Sequence, residues 1–376
     1  MSPRIAIDGR ELRAGVRTGI RRYTLEVLRA AVGRGLPCVL YGDRGTQLDA
    51  APEGVTRVVV DAAPTAWWDQ MALPGVLRRD AIDVFLSPYY KRPLVTPCPA
   101  VITIHDLFFI GYPGRRRPIY DAVMTAAARL YARGAAAIIA DSAHSRDAIV
   151  ARLGISGARI AVIPVGLGPE FRPTTPTPAQ RERYGLGRAY VLYVGNFLPH
   201  KNLPRLLRAW AALPEPLRRA HRLVLAGGAM AGRSEVAAQA AALGLGEGIV
   251  FAGGVEDTDL PALYGGASLV VLPSLEEGFG LPALEGMACG APVVATCRGA
   301  VPEVVGDAGV LIDPEDERAL TGALQRVLTG DVDRAALRRA SLARATEFTA
   351  ERTAGRVVDL LLATAGARPV LERRAG

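Results

Sequence analysis

Short apolar runs alternate with longer helical patterns twice along this chain, and a stretch rich in proline and threonine separates the two series. In the first series Arg4–Asp8, Cys38–Tyr41, Arg57–Val60, Val84–Ser87, Ala100–Ile104, Ala136–Ala140 and Ile160–Val165 read as strands. Helical patterns at Thr18–Val32, Trp67–Leu77, Arg117–Ala132 and His144–Leu153 lie between them. In the second, Tyr190–Gly195, Arg222–Ala226, Ile249–Ala252, Leu269–Pro273 and Pro292–Ala295 are strand-like. Helices are predicted at Leu203–Leu213, Ser234–Leu243, Asp259–Gly265 and Pro282–Cys289, and from Asp313 to about residue 365. Such alternation predicts α/β architecture with doubly wound parallel sheets. Phe171–Ala179 reads as a linker, because proline removes donors and stiffens the chain. The 376 residues therefore divide into a Rossmann-like half over 1–172, a linker over 173–189 and a second Rossmann-like half over 190–349. Ligands of such sheets bind outside the carboxyl ends of the strands, so residues in strand-to-helix loops facing a central cleft are the candidates for function.

Charge is placed unevenly. Residues 1–180 carry 23 Lys/Arg against 15 Asp/Glu, and the remainder is balanced. A basic half suits an anionic partner such as a lipid phosphate or a membrane surface; a solvated surface biased by codon usage is the plain alternative. Nucleic acid ranks last, since no aromatic–basic interleaving accompanies the charge. Cys38, Cys98, Cys289 and Cys297 lack metal or disulfide spacing, which suggests reduced thiols in a cytoplasmic protein. No apolar run is long enough to span a bilayer, so membrane contact at the inner face is expected to be peripheral.

Chemistry concentrates in Pro273–Pro292. A strand ends, two carboxylates follow, Gly278 and Gly280 bracket Phe279, and a helix opens near Leu281 with Pro282 in its first turn. The amides of Phe279, Gly280 and Leu281 then point out of a helix start, a ready anion site for a diphosphate. Glu285, one turn into the helix, suits a pair of vicinal hydroxyls, and Glu277 suits the sugar side of the same diphosphate. For the glutamates alone, the plain alternative is an acidic helix N-terminus stabilised by its dipole. In Tyr190–Leu203, Lys201 follows a strand, a glycine and a loop, and offers a point cation for phosphate. His200 beside it reads as a surface or capping residue. His105 sits just past an apolar strand, with Asp106 placed to orient it or hold its charge; a buried, satisfied histidine is the plain alternative. Gly19 belongs to a glycine-containing loop, Arg13–Tyr23, after the first strand; no dinucleotide fingerprint is present.

These residues resemble glycosyltransferase family 4, retaining enzymes of the GT-B fold. The resemblance covers the whole chain and rests on E-G-F-G-L-P-A-L-E from Glu277 to Glu285, on Gly299–Pro314, on G-N-F-L-P-H-K-N-L, on I-H-D-L and on Ala140–Asp147. The last three are similar to mannosyltransferases. The resemblance implies that Glu277 binds donor-sugar hydroxyls and Glu285 the ribose. It implies that Phe279, Gly280 and Leu281 bind the distal phosphate and that Lys201 neutralises the diphosphate. It places His105 beside the reacting carbon and Gly19 in the loop over the phosphates. Asn196 stands near the place where many members carry an arginine. The resemblance also implies that the tail from about residue 350 to 376 packs back onto the first domain.

The implied reaction is a front-face transfer of a hexose from a nucleotide diphosphate sugar, GDP-mannose before UDP-sugars, to a hydroxyl-bearing acceptor that includes lipid-linked ones. It builds polysaccharide, glycolipid or glycosylated natural products. No cofactor and no metal are expected, because Lys201 and the helix N-terminus meet the leaving group's charge. A nucleotide-sugar epimerase and a non-catalytic sugar-nucleotide binder are the alternatives.

Overall fold

A computed structural model describes residues 2–13, 19–62, 64–111, 118–187, 189–228 and 232–366. The chain forms two compact units, one of residues 1–112, 116–166 and 350–376, the other mainly 167–349.

The first unit holds a seven-stranded parallel sheet of β1 (Ile5–Asp8), β2 (Cys38–Gly42), β3 (Val55–Val59), β4 (Val84–Ser87), β5 (Ala100–Ile104), β6 (Ala137–Ala140) and β7 (Ile160–Val162). The order is β3-β2-β1-β4-β5-β6-β7. Strands β1, β2, β4 and β5 are buried along their whole length, as a sheet covered on both faces requires, while the edge strand β3 is mostly exposed. Helices α1 (Gly19–Gly33), α2 (Thr65–Trp67), α3 (Leu73–Arg79), α4 (Pro118–Gly134) and α5 (Ala143–Leu153) connect them. A π-helical turn at Trp68–Ala72 joins α2 to α3, where one unbroken helix is predicted.

The second unit repeats the plan with six parallel strands: β8 (Tyr190–Val194), β9 (Arg222–Ala226), β10 (Ile249–Gly253), β11 (Leu269–Leu272), β12 (Val293–Thr296) and β13 (Val310–Ile312). Their order is β10-β9-β8-β11-β12-β13. Its helices are α6 (Pro178–Arg183), α7 (Leu203–Ala211), α8 (Glu215–Ala220), α9 (Arg233–Ala242), α10 (Leu260–Gly265), α11 (Leu281–Ala288), α12 (Val301–Val305), α13 (Glu317–Thr329) and α14 (Arg334–Ala345). Three elements correct the sequence reading. Helix α6 lies inside the stretch read as linker, set by a capping box between Thr177 and Gln180. Strand β13 and helix α8 are too short to show a period. The last helix, α15 (Ala350–Gly366), belongs to the first unit, where Val357, Val358 and Leu361 share a core with Leu25 and Leu28 of α1.

In both sheets the order reverses beside the first strand of the unit, between β1 and β4 and between β8 and β11. Ligands of doubly wound sheets bind at that switch point. Among the described residues, no helix is long and apolar enough to cross a membrane.

Candidate functional site

At the switch point of the second unit, the loops after β8 and β11 are stitched together. Lys201, in a 3-10 turn at Pro199–Lys201, donates from Nζ to Oε1 of Glu277 at 2.6 Å, and both side chains are buried. Ser274 Oγ donates to the same oxygen at 2.6 Å. Leu275 N–H donates to the carbonyl of His200 at 2.7 Å. Asn202 holds the arrangement from below. Its backbone is left-handed (φ 57°, ψ 29°), a conformation asparagine tolerates, and its side-chain amide donates to the carbonyls of Pro273 at 3.0 Å and Pro314 at 2.8 Å. One residue thus ties the loops after β8, β11 and β13.

Glu277 is packed from behind by a glycine. Gly299 has φ +66°, and a Cβ there would lie 2.4 Å from the Glu277 carbonyl oxygen. Four residues beyond Glu277 the chain turns into α11. Gly280 is its N-cap at φ 95°, with no side-chain cap, and Pro282 occupies the first turn. Among the described residues, the amides of Phe279, Gly280 and Leu281 donate to no protein acceptor. Capping groups being absent, the helix start presents N–H groups suited to an anion. Phe279 is anchored by an edge contact with Phe348, ring centroids 6.0 Å apart. Glu285 lies one turn into α11, buried, and its Oε2 accepts from the Tyr264 hydroxyl at 2.8 Å. Burial and the Glu285 charge push the Cys289 thiol up to about 12.

The structure thus brings Lys201, Glu277 and the residues leading into α11 together. It treats two neighbours differently from the sequence reading. His200 is buried, not a surface or capping residue; desolvation, with the Lys201 charge beside it, pushes its imidazole down to about 3, so it is neutral. Asn196 turns its side chain onto its own loop, accepting from Leu198 N–H at 3.2 Å. Two Asp-x-Asp triplets, Asp257–Asp259 and Asp331–Asp333, have local uses. Asp259 accepts from Tyr184 and Gln180, both at 2.7 Å, and Asp333 caps α14.

In the first unit, His105 follows β5, with a ring 20% exposed. Its Nδ1 lies 2.6 Å from Oδ2 of Asp141 and its Nε2 lies 3.1 Å from the carbonyl of Pro88. A carbonyl only accepts, so Nε2–H donates to Pro88, and a carboxylate beside Nδ1 favours a proton there too; the two acceptors together favour the doubly protonated ring. Burial alone would lower its pKa; the charge and hydrogen bond of Asp141, with the Pro88 carbonyl, outweigh that and hold it above the usual histidine value. Asp106, expected to orient His105 or to hold its charge, does not bond the ring but accepts from Phe108 N–H at 3.0 Å; its charge adds a smaller upward push to the His105 pKa. The orienting group is Asp141, at the end of β6 and 36 residues away; its Oδ1 has no hydrogen-bond partner among the described residues. Gly19 is the first residue of α1; Ala14–Thr18 of its loop lie outside the described residues.

Sequence reasoning missed a second buried cluster, at the switch point of this sheet. Arg10, after β1, lies 2.6 Å from both Asp8 and Asp69, and its guanidinium stacks 3.7 Å above the Trp68 ring. The Tyr89 hydroxyl donates to Asp8 at 2.5 Å. Asp8 and Arg10 are two residues apart at a strand end and Trp68 and Asp69 are neighbours, but nothing local joins the two pairs or brings in Tyr89.

The chain matches Glycosyltransferase Family 4 over residues 17–171 and Glycosyl transferases group 1 over residues 177–344. It is 34% identical to O-antigen chain mannosyltransferase B of Escherichia coli, across 67% of each chain. It is 31% identical to D-inositol 3-phosphate glycosyltransferase of Acidothermus cellulolyticus, across 88% of this chain and 82% of that one. Anabaena HepE, solved in complex with UDP and glucose, superposes with a TM-score of 0.75 at 22% identity, over 96% of this chain and 100% of that one. The two parallel sheets and these likenesses identify a glycosyltransferase of GT-B type, and the chain belongs to glycosyltransferase family 4.

Proposed function

We propose that the protein transfers a hexose, with retention, from a nucleotide diphosphate sugar to a hydroxyl-bearing acceptor, without a metal ion. The observation carrying this reading is the buried Lys201–Glu277 pair leading into an uncapped helix start. Lys201 has three N–H donors and spends one on Glu277, so it can also meet phosphate oxygens. Lys201 and Ser274 both engage Oε1 of Glu277, which leaves Oε2 for donor-sugar hydroxyls. Negative charge developing on the leaving diphosphate is met by Lys201 and by the amides of Phe279, Gly280 and Leu281. In a front-face transfer the leaving phosphate helps take the acceptor proton. Glu285, held by Tyr264, binds the ribose. His105 contributes a fixed positive charge beside the donor sugar, with Asn196 and Gly19 shaping loops near the donor.

GDP-mannose is the favoured donor, supported by the mannosyltransferase relative; UDP-sugars come next, supported by the UDP in HepE. The acceptor is a growing polysaccharide, glycolipid or natural product, lipid-linked in the favoured case, and reached at the cytoplasmic face of the membrane. A donor panel scored by thermal shift and by transfer tests this, because a ligand bound only by the folded state raises the midpoint. A shift with GDP-mannose and mannosyl transfer abolished in Glu277→Ala are expected. Sugar isomerisation without transfer, or equal negligible donor turnover in both proteins, would overturn the reading.

A further inference from the structure

Eleven large hydrophobic side chains are exposed among the described residues, and eight of them lie on three segments of the first unit. On α4, Ile119 is 82% exposed, Val123 60% and Leu130 54%. Their spacing puts them on one face of the helix. The residues that α4 buries are only Ala128 and Ala132. The helix packs Ala128, Ala132 and the half-buried Met124 onto the core and turns Ile119, Val123 and Leu130 to solvent, a second apolar face where a surface helix ordinarily carries polar residues.

The patch continues beyond α4. Arg92, buried in the loop after β4, donates to the carbonyl of Tyr131 on α4 at 3.0 Å, and the Tyr90 and Tyr131 rings meet edge-on. The next residues of that loop, Leu94 and Val95, are exposed. Gln70 accepts from Leu94 N–H at 2.8 Å and donates to the Arg92 carbonyl at 3.3 Å. That bond brings in the π-helical turn, whose Met71 is exposed, as is Trp67 just before it. An apolar area this continuous on a water-soluble surface marks something that covers it.

Charge selects the cover. Lys91 and Arg133 border the patch. Of the two acids on the three segments, Asp69 is buried against Arg10, and Asp121 is half-buried. The excess positive charge of the chain falls within its first 180 residues. A second copy docking through the same patch would set like charges against each other. An anionic bilayer meets both features: aliphatic side chains enter the interface, Trp67 and Tyr120 suit the headgroup level, and basic residues reach lipid phosphates. We propose that the face formed by α4, the loop after β4 and the turn at Trp68–Ala72 docks on an anionic phospholipid membrane. The inference deepens the reading of a membrane-borne acceptor, and its test reads binding without catalysis.

The full chain is floated with phosphatidylcholine vesicles and with vesicles of phosphatidylcholine and phosphatidylglycerol, roughly three to one. Binding is expected with the anionic vesicles, weakened by salt. The triple variant Ile119→Ser, Val123→Ser, Leu130→Ser is expected to lose about tenfold or more of that binding, with its nucleotide-induced thermal shift intact. Should that variant fold poorly, Trp67→Ser with Met71→Ser, on a different segment, serves the same test. Wild-type protein that ignores anionic vesicles, variants that float as well as wild type, or a lipid-free self-association abolished by the same substitutions would overturn the proposal. Failure of docking with an intact nucleotide shift leaves the transferase reading standing, and the converse result separates them equally.

Discussion

Two ion pairs at strand ends, one from each unit, share the same 2.6 Å separation: the buried Lys201–Glu277 and the half-buried His105–Asp141. They differ in what remains unused. Lys201 keeps two donors and Glu277 a whole oxygen, so the pair can exchange partners with an arriving anion and sugar. His105 has committed both nitrogens to protein acceptors and can neither take nor give a proton without breaking a hydrogen bond. Two equal distances therefore describe different devices, an exchangeable pair in the second unit and a fixed cation in the first.

The largest expected effect breaks the exchangeable pair. Lys201→Met leaves Glu277 buried without its cation and should cost about 3–5 kcal/mol of stability. It should also cost about 10²–10³ in kcat, the scale for removing a donor to a developing oxyanion. The double variant Lys201→Met, Glu277→Gln should be more stable than the single lysine variant in urea unfolding. Additive losses would mean that the pair is not coupled. Next, Asn202→Ala removes two hydrogen bonds to carbonyls and leaves alanine in the left-handed region. We expect about 2–4 kcal/mol of destabilisation and a loss of nucleotide binding, read together by calorimetry. Unchanged stability would show that the three loops hold without it.

The fixed cation is tested by pH. His105 has a folded pKa raised above its unfolded value of about 6.5. Its contribution to stability is therefore fully present below the unfolded pKa and is lost as pH rises through the folded one. Imidazole resonances of the wild type should show His105 titrating above the ordinary histidine value with both nitrogens protonated below it. Asp141→Asn should lower that pKa and flatten the stability profile in this window. A His105 that titrates at the ordinary value, or carries one bare nitrogen in the folded protein below it, contradicts the fixed-cation account. The smallest effect is expected for Tyr264→Phe, which removes one hydrogen bond to Glu285. About 1 kcal/mol, seen as a raised KM for donor with little change in kcat, fits a ribose-binding role.

The same contrast explains how much was legible in the sequence. The elements around Lys201 and α11 announce themselves locally: a strand, a glycine, a lysine; then two glutamates, bracketing glycines and a first-turn proline. Strand ends and helix starts are short-range signals, and they place side chains near the switch point. Partners are not short-range. His105 and Asp141 meet across adjacent strands, and their neighbourhood depends on sheet order, so Asp106, next in sequence, looked the better partner. Asn202 was visible only as one letter of a motif, because its job is to bond two carbonyls 71 and 112 residues away. His200 was misplaced because the burial of a 3-10 turn follows from the loop packed over it. Helix α6 was hidden by prolines that signalled a linker more strongly than Thr177 and Gln180 signalled a cap.

Partner exchange at Lys201 is the central step, and binding of free nucleotide diphosphate measures it without any acceptor. Calorimetric titration with GDP and UDP, against GMP and UMP, should show Lys201→Met losing about tenfold or more for the diphosphates and little for the monophosphates. Glu277→Gln, which leaves the lysine uncompensated, should bind the diphosphates at least as tightly as wild type. Lys201→Met binding the diphosphates as wild type does would contradict the account.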